Sequence, residues 1–242
     1  MIKKCLFILC LSLITIAAFS QQQPFKISIQ HLTGNCYLFI SYGLANGAPF
    51  PANGVYVVTN DGVVVIDTPW GEDETQQLID SVYRRHHKKI ILSISTHFHA
   101  DRTGGIDVFK KASVKTYSSQ QTLALCKKSG NKQAAYTFTN DTTFNIGGTT
   151  IQTYYPGEGH TKDNIVVWLP KQKVLVGGCL VKSTETENIG NVADANVAQW
   201  PQTIKNVMVK YPGAKYIIPG HQGWASLNSL KHTLEVIKSA GN

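Results

Sequence analysis

The stretch Ser93-Ile94-Ser95-Thr96-His97-Phe98-His99-Ala100-Asp101-Arg102-Thr103-Gly104-Gly105 constrains this chain more than any other. It opens as an apolar strand and closes as a polar turn punctuated by glycine. His97, His99 and Asp101 fall at alternate positions where the apolar run stops. Alternation in a strand-like exit puts His97 and Asp101 on one side, with His99 between them. Two imidazoles and a carboxylate at the C-terminal end of a strand form a metal-ligand cluster. The rest of the chain has to bring further donors to it.

The same arrangement recurs downstream. A strand at Thr149–Tyr154 is followed by Gly157-Glu158-Gly159-His160, one at Lys173–Gly177 by Cys179, and one at Lys215–Ile218 by Pro219-Gly220-His221. Six metal-competent side chains therefore lie in four post-strand loops. Three histidines suit one ion; Asp101, Cys179 and His221 suit another. Imidazole, thiolate and carboxylate together point to Zn²⁺, and three ligands per ion leave the open position that a catalytic site needs. His31, His86, His87 and His232 lack this context and read as ordinary surface or core residues.

Around the ligands, apolar periodicity alternates between strand and helix. Strands are expected at Ile27–Leu32, Tyr37–Ile40, Gly54–Thr59, Val63–Asp67 and Ile90–Ser95, with Asn60-Asp61-Gly62 as a hairpin turn. Tyr42–Asn53, rich in Gly, Pro, Ala and Asn, reads as a loop. Asp73 is placed to cap a helix reaching about His87. Further helices are expected at Gly105–Lys111, Ser118–Lys128, Val197–Lys210 and Ala225–Lys238, with a short strand at Val114 and another at Ile165–Leu169. Sheets bracketed by helices in both halves imply an α/β four-layer αβ/βα sandwich, two mixed sheets flanked by helices. Trp70 is assigned to the core.

Residues 1–20 differ from the rest. Lys3 and Lys4 precede an apolar run from Leu6 to Phe19, and Ala18 and Ser20 supply small residues at signal-peptidase spacing. The run falls short of the ~20 apolar residues of a membrane span. A signal peptide over 1–20 and a single exported domain over 21–242 are expected, periplasmic and without stable membrane insertion. Losing the two lysines lowers the formal charge from +8 to +6. The basic residues are scattered rather than interleaved with aromatics, which argues against nucleic acid as a partner. Of the cysteines beyond the leader, Cys36 and Cys126 read as small buried hydrophobes, with a Cys36–Cys126 disulfide as the lesser alternative. No self-pairing surface is evident, so a monomer is expected.

Thr96-His97-Phe98-His99-Ala100-Asp101, taken with His160, Cys179 and His221, resembles the metallo-β-lactamase superfamily. Val64–Trp70, Gly157–Asn164, Gly177–Lys182 and Gly190–Ala195 look specifically like subclass B1, and the likeness covers essentially the whole mature chain. Glyoxalase II-type and lactonase-type relatives carry a His directly after the motif Asp and a bridging Asp later; here Arg102 and Cys179 stand in those places. Two departures bear on substrate preference. Ala193 sits where Gly is common, and the Tyr42–Asn53 segment has no Trp at its tip.

The resemblance implies two zinc ions per chain, one on His97, His99 and His160 and one on Asp101, Cys179 and His221. It implies hydrolysis of the β-lactam amide of penicillins, cephalosporins and carbapenems, with antibiotic resistance as the outcome. Zinc brings the pKa of bound water to about 7, so hydroxide is the nucleophile and no covalent acyl-enzyme is required. Asn191 is implied as an oxyanion donor, Lys182 as the partner of the substrate carboxylate, and Asp101 as part of the catalytic group. Asp67, Thr96 and Arg102 are expected behind the ligands, Asp67 as an acceptor orienting a ligand or the zinc-bound water. Tyr42–Asn53 becomes a lid, with Leu44 and Phe50 as contacts. Two other readings stay open: a hydrolase of another ester, lactone or thioester, and a zinc-binding protein without turnover.

Overall fold

The computed structural model describes residues 25–139 and 141–240. The leader at 1–20 lies outside them. Among the described residues twelve strands form two sheets. The first runs in chain order: β1 (Ser28–Thr33), β2 (Cys36–Ala45), β3 (Ala48–Val58), β4 (Val63–Ile66), β5 (Ile90–Ile94), β6 (Lys115–Ser119) and β7 (Tyr136–Phe138). β1 to β4 are antiparallel neighbours; β4 to β7 are parallel. The second sheet has the order β12 (Tyr216–Pro219), β11 (Val174–Gly178), β10 (Val166–Leu169), β9 (Thr149–Tyr154), β8 (Thr143–Ile146). Only β11 and β12 are parallel there.

Three apolar layers follow from strand alternation. Leu38, Val64, Ile66, Val167, Val176 and Ile218 meet between the sheets. Their immediate neighbours face outward. Phe39, Val63 and Val65 pack with Leu78 and Val82 of α1 (Glu72–His86) and Phe109 of α3 (Ile106–Lys111). Val166, Leu175 and Ile217 pack with Trp200, Ile204 and Val207 of α5 (Trp200–Lys210) and Val236 of α6 (Ser229–Ala240). A run such as Val63–Ile66 is apolar throughout because both of its faces are covered. The helix–sheet–sheet–helix expectation holds. α4 (Gln120–Ser129) starts on Ser119, whose hydroxyl accepts from the Thr122 N–H at 2.9 Å.

Four local expectations fail. Tyr42–Asn53 is not a loop. β2 and β3 stay paired through Ala45↔Ala48, and Asn46 and Gly47 turn the chain at φ +52° and +79°. Pro49 and Pro51 are tolerated because β3 meets β4 only at Val55–Val58, leaving its first half at the sheet edge. Asp73 does not cap α1; Gly71 precedes the helix and makes no side-chain cap, while Glu72, Asp73 and Glu74 favour the positive helix start through charge. The strand near Val114 begins one residue later and the last helix four residues later than expected, and β7 and β8 are too short to read from pattern. Cys36 and Cys126 are buried free thiols, burial pushing each up to about 12.

Candidate metal centre

β5 stops at Ile94, and the chain bends away from the ladder before a single turn of helix, α2 (Ala100–Thr103). The strand-like alternation expected for His97–Asp101 is therefore absent. His99 immediately precedes α2, with no side-chain cap bond, and Asp101 sits in its first turn. The ligands converge all the same, because a bend and a helical turn put residues four apart on one side: His97 Nε2 lies 4.0 Å from Asp101 Oδ1. β9, β11 and β12 run the same way in the second sheet, so their C-terminal loops deliver His160, Cys179 and His221 to this edge.

Asp101, Cys179 and His221 form a tight triangle. Cys179 Sγ is 3.2 Å from Asp101 Oδ2 and 3.1 Å from His221 Nε2, and the third side is 3.2 Å. A tetrahedral zinc with ordinary bond lengths has ligand–ligand edges of about 3.3–3.8 Å. The three donors fit such an ion with only slight spreading. Gly220 makes the triangle possible, since a Cβ there would sit 2.6–2.7 Å from the Cys179 N and Sγ. His221 is held by Nδ1, 2.7 Å from the Pro51 carbonyl, which presents Nε2 to the site.

The other three imidazoles also cluster. Ring centroids of His97, His99 and His160 are 4.9–5.0 Å apart pairwise, and His99 Nδ1 lies 3.2 Å from His160 Nε2. His97 Nε2 is buried without a hydrogen-bond partner among the described residues. An orphaned buried nitrogen is costly unless something binds it. Burial holds His97 and His160 well below the usual histidine range, so both rings are neutral and offer lone pairs. The donor set therefore fits metal at both clusters.

Arg102, 1% exposed, is the hub beneath the second cluster. Its guanidinium reaches Asp101 Oδ2 at 2.9 Å, Cys179 Sγ at 3.1 Å, Asp67 Oδ2 at 3.5 Å and the carbonyls of Asn53 and Gly220 at 2.6 and 2.7 Å. Burial alone would raise the Asp101 carboxyl; Arg102 and His221 reverse this and hold it well below its usual range. Burial pushes the Cys179 thiol up and Arg102 offsets only part of that, so a metal ion is what would complete its deprotonation. Asp67 touches none of the six donors. It sits at φ +63° and accepts from the Thr96 N–H and hydroxyl at 2.7 and 2.9 Å. Thr96 Oγ1 in turn lies 3.4 Å from His97 Nδ1. Asp67 thus connects to the donors through Thr96 and Arg102. Burial raises its carboxyl to about 6 against the opposing pull of Arg102.

A cavity of about 1190 Å³ opens above the ligands. Leu44 and Phe50 of the β2–β3 hairpin form one wall, with Phe50 4.8 Å from the His221 ring. Trp70 is part of this wall and not of the core, its ring 6.1 Å from His221. Lys182 also lines the cavity, its Nζ 5.2 Å from the Trp200 ring centre. Asn191 Oδ1 accepts from Ala193 N at 3.0 Å, which leaves its NH₂ as the donor end. Two contributors escaped the sequence reading. Asp194 Oδ2 is 3.0 Å from His99 Nε2 and so fixes which His99 nitrogen faces the cluster. Asn53, 2% exposed, crosses from β3 to the His221 loop. Asp194 stands in the quoted Gly190–Ala195 stretch, but only folding shows its partner; Asn53 sat in a segment read as loop.

Residues 47–221 match the family model described as the metallo-beta-lactamase superfamily. The chain is 43% identical over 230 residues to a metallo-beta-lactamase type 2 of Elizabethkingia meningoseptica, covering 95% of this chain and 92% of that one. It is 38% identical to metallo-beta-lactamase IND-1 of Chryseobacterium indologenes, covering 85% and 86%. Among solved structures, a metallo-beta-lactamase from Pontibacter korlensis superposes with a TM-score of 0.85 at 36% identity, covering 88% of this chain and 99% of its own. By these matches the chain belongs to the metallo-beta-lactamase superfamily and, within it, to subclass B1.

Proposed function

We propose that this chain is an exported, monomeric zinc β-lactamase that opens the amide of penicillins, cephalosporins and carbapenems and so protects its host from them. One observation carries this reading. Six donors from four loops converge beneath one cavity, Asp101, Cys179 and His221 within reach of one ion and the His97, His99 and His160 rings packed together, and among the described residues the buried His97 Nε2 has no hydrogen-bond partner. His97, His99 and His160 would hold the first zinc; Asp101, Cys179 and His221 would hold the second. When bound, the two ions supply Lewis acidity toward the carbonyl and an acidified water as nucleophile.

The remaining steps belong to side chains of the cavity. Lys182 Nζ binds the substrate carboxylate as a point charge. The Asn191 NH₂ donates to the oxygen on which negative charge develops. Asp101 Oδ2 is committed to Arg102, Cys179 and His221, so Oδ1 orients the attacking water by accepting its hydrogen bond. Leu44, Phe50 and Trp70 cover the apolar substituents and exclude bulk water, a lid role confined to the hairpin tip. Glu74 Oε1 accepts the Tyr42 N–H at 2.7 Å, and any Cβ on Gly43 would meet the Trp70 ring at 2.3 Å, so the hairpin base is pinned. Among the described residues no helix is long and apolar enough to cross a membrane.

The test is hydrolysis of a penicillin, a cephalosporin, a carbapenem and a monobactam in parallel by the mature protein, with metal content measured alongside. Turnover abolished by a chelator and restored by zinc is expected. A protein carrying two zinc ions that leaves every β-lactam intact would overturn the proposal.

A further inference from the structure

We infer that Asn53, on the hairpin strand β3, is the positioning residue of the Asp101–Cys179–His221 site, and that its side-chain amide acts by holding the Pro219 and Gln222 carbonyls on either side of His221. The inference rests on the two-zinc reading above. Asn53 touches none of the six donors, yet it makes four hydrogen bonds to what stands behind them. Its N–H donates to the Gly220 carbonyl at 2.8 Å. Its side-chain NH₂ donates to the carbonyls of Pro219 at 3.0 Å and Gln222 at 2.9 Å. Its own carbonyl accepts from Arg102 Nη1 at 2.6 Å.

These bonds bracket His221. Pro219 and Gly220 lead into it and Gln222 follows it, in the left-handed region at φ +61°. A non-glycine residue held there costs free energy and stays only if its surroundings hold it. Asn53 supplies part of that hold. Two residues earlier on the same strand, the Pro51 carbonyl lies 2.7 Å from His221 Nδ1. One short length of β3 therefore fixes the backbone on both sides of the ligand and which ring nitrogen is free. Arg102 closes the circuit, because the same guanidinium bonds Asn53 O, Gly220 O, Cys179 Sγ and Asp101 Oδ2.

The three-histidine cluster is backed by other residues: His97 by Thr96, His99 by Asp194, and the His160 loop by Asn164, Asn196 and Thr203. Loss of the Asn53 side chain should therefore be felt at one ion and not the other. The strand also continues through Phe50 to the hairpin tip that walls the cavity. The part of the molecule that meets substrate and the part that sets His221 are one continuous piece of backbone.

The test compares stepwise zinc affinities of the wild type with those of Asn53→Ala and Asn53→Ser, by competition against a chromophoric chelator. Cobalt substitution, in which the Cys179 thiolate gives its own charge-transfer band, is run in parallel. Residues behind metal ligands typically change affinity about ten- to a hundredfold. The second ion should weaken by about that factor in Asn53→Ala, with the thiolate band titrating in later, and the first should move by less than about threefold. Asn53→Ser, which keeps one short donor and folds more readily, should fall between. Equal weakening of both ions would make Asn53 a general structural residue and overturn the inference, as would an unchanged second affinity. Uptake of a single ion by the wild type would refute the two-zinc reading itself, a result visible before any variant is compared.

Discussion

Arg102→Ala should cost the metal-free protein about 3–5 kcal/mol, the usual loss when one partner of a buried ion pair is removed. The structure shows where this comes from. Truncation leaves the Asn53 and Gly220 carbonyls without their donor, each worth about 1–3 kcal/mol if no water replaces it. It also leaves Asp67, at 0% exposure, without its countercharge, and Asp101, at 6%, with His221 but not Arg102 beside it. Each carboxylate can escape by taking up a proton. From an ordinary aspartate that costs about 4 kcal/mol at pH 7, which caps its penalty. Water entering the vacated space lowers the sum further. The assay is urea unfolding of chelator-treated protein, with equal m-values required before midpoints are compared. The pH dependence has a definite sign. Without Arg102 the folded-state pKa of Asp67 rises further above its present value of about 6, while the unfolded value stays ordinary. The folded variant then keeps a proton that the unfolded chain releases, so it gains stability as pH falls from about 7 toward 4, and its deficit narrows. A loss under about 1 kcal/mol, or a deficit that widens on acidification, would refute the role given to Arg102.

Cys179→Ser should leave the three-histidine site loaded and empty the other, read as one zinc per chain instead of two and loss of the thiolate-to-cobalt band; unchanged stoichiometry would remove Cys179 from the site. Lys182→Ala should raise KM about tenfold for β-lactams with a free carboxylate, equivalent to about 1.4 kcal/mol, with little change in kcat. An equal rise for esterified substrates would rule out the contact. Asp194→Ala should free the His99 ring and weaken the first zinc about ten- to a hundredfold, leaving the second in place. Titration showing the first affinity untouched would reduce the 3.0 Å contact to a surface ion pair.

The chemistry of this protein is carried by residue types, and those are visible in one dimension. His97, His99, Asp101, His160, Cys179 and His221 could be picked out because metal binding needs particular donor atoms, and because each follows an apolar run that ends a strand. Val63–Ile66 likewise declared a doubly buried strand by lacking any polar alternation. Patterns of this kind reflect local periodicity and survive without knowledge of what lies opposite.

What escaped was decided between segments distant in sequence. The ligand stretch was read as a strand exit, yet a bend and a helical turn bring His97 and Asp101 together; the divergence from ladder geometry is set by Thr96 and Asp67, twenty-nine residues apart. Tyr42–Asn53 looked like a loop by its glycines and prolines. It pairs as a hairpin because its prolines lie at a free edge, where missing donors cost nothing. Trp70 looked like core because it is large and apolar, and it faces the cavity because Gly43 leaves it room there. Which atoms can bind metal, and that two sheets must cover one another, follow from residue types and periodicity. That Asn53 and Asp194 stand behind those atoms, and which donors and carbonyls Arg102 joins, follows from folding alone, since a hydrogen bond to a backbone carbonyl leaves no mark on the partner's identity.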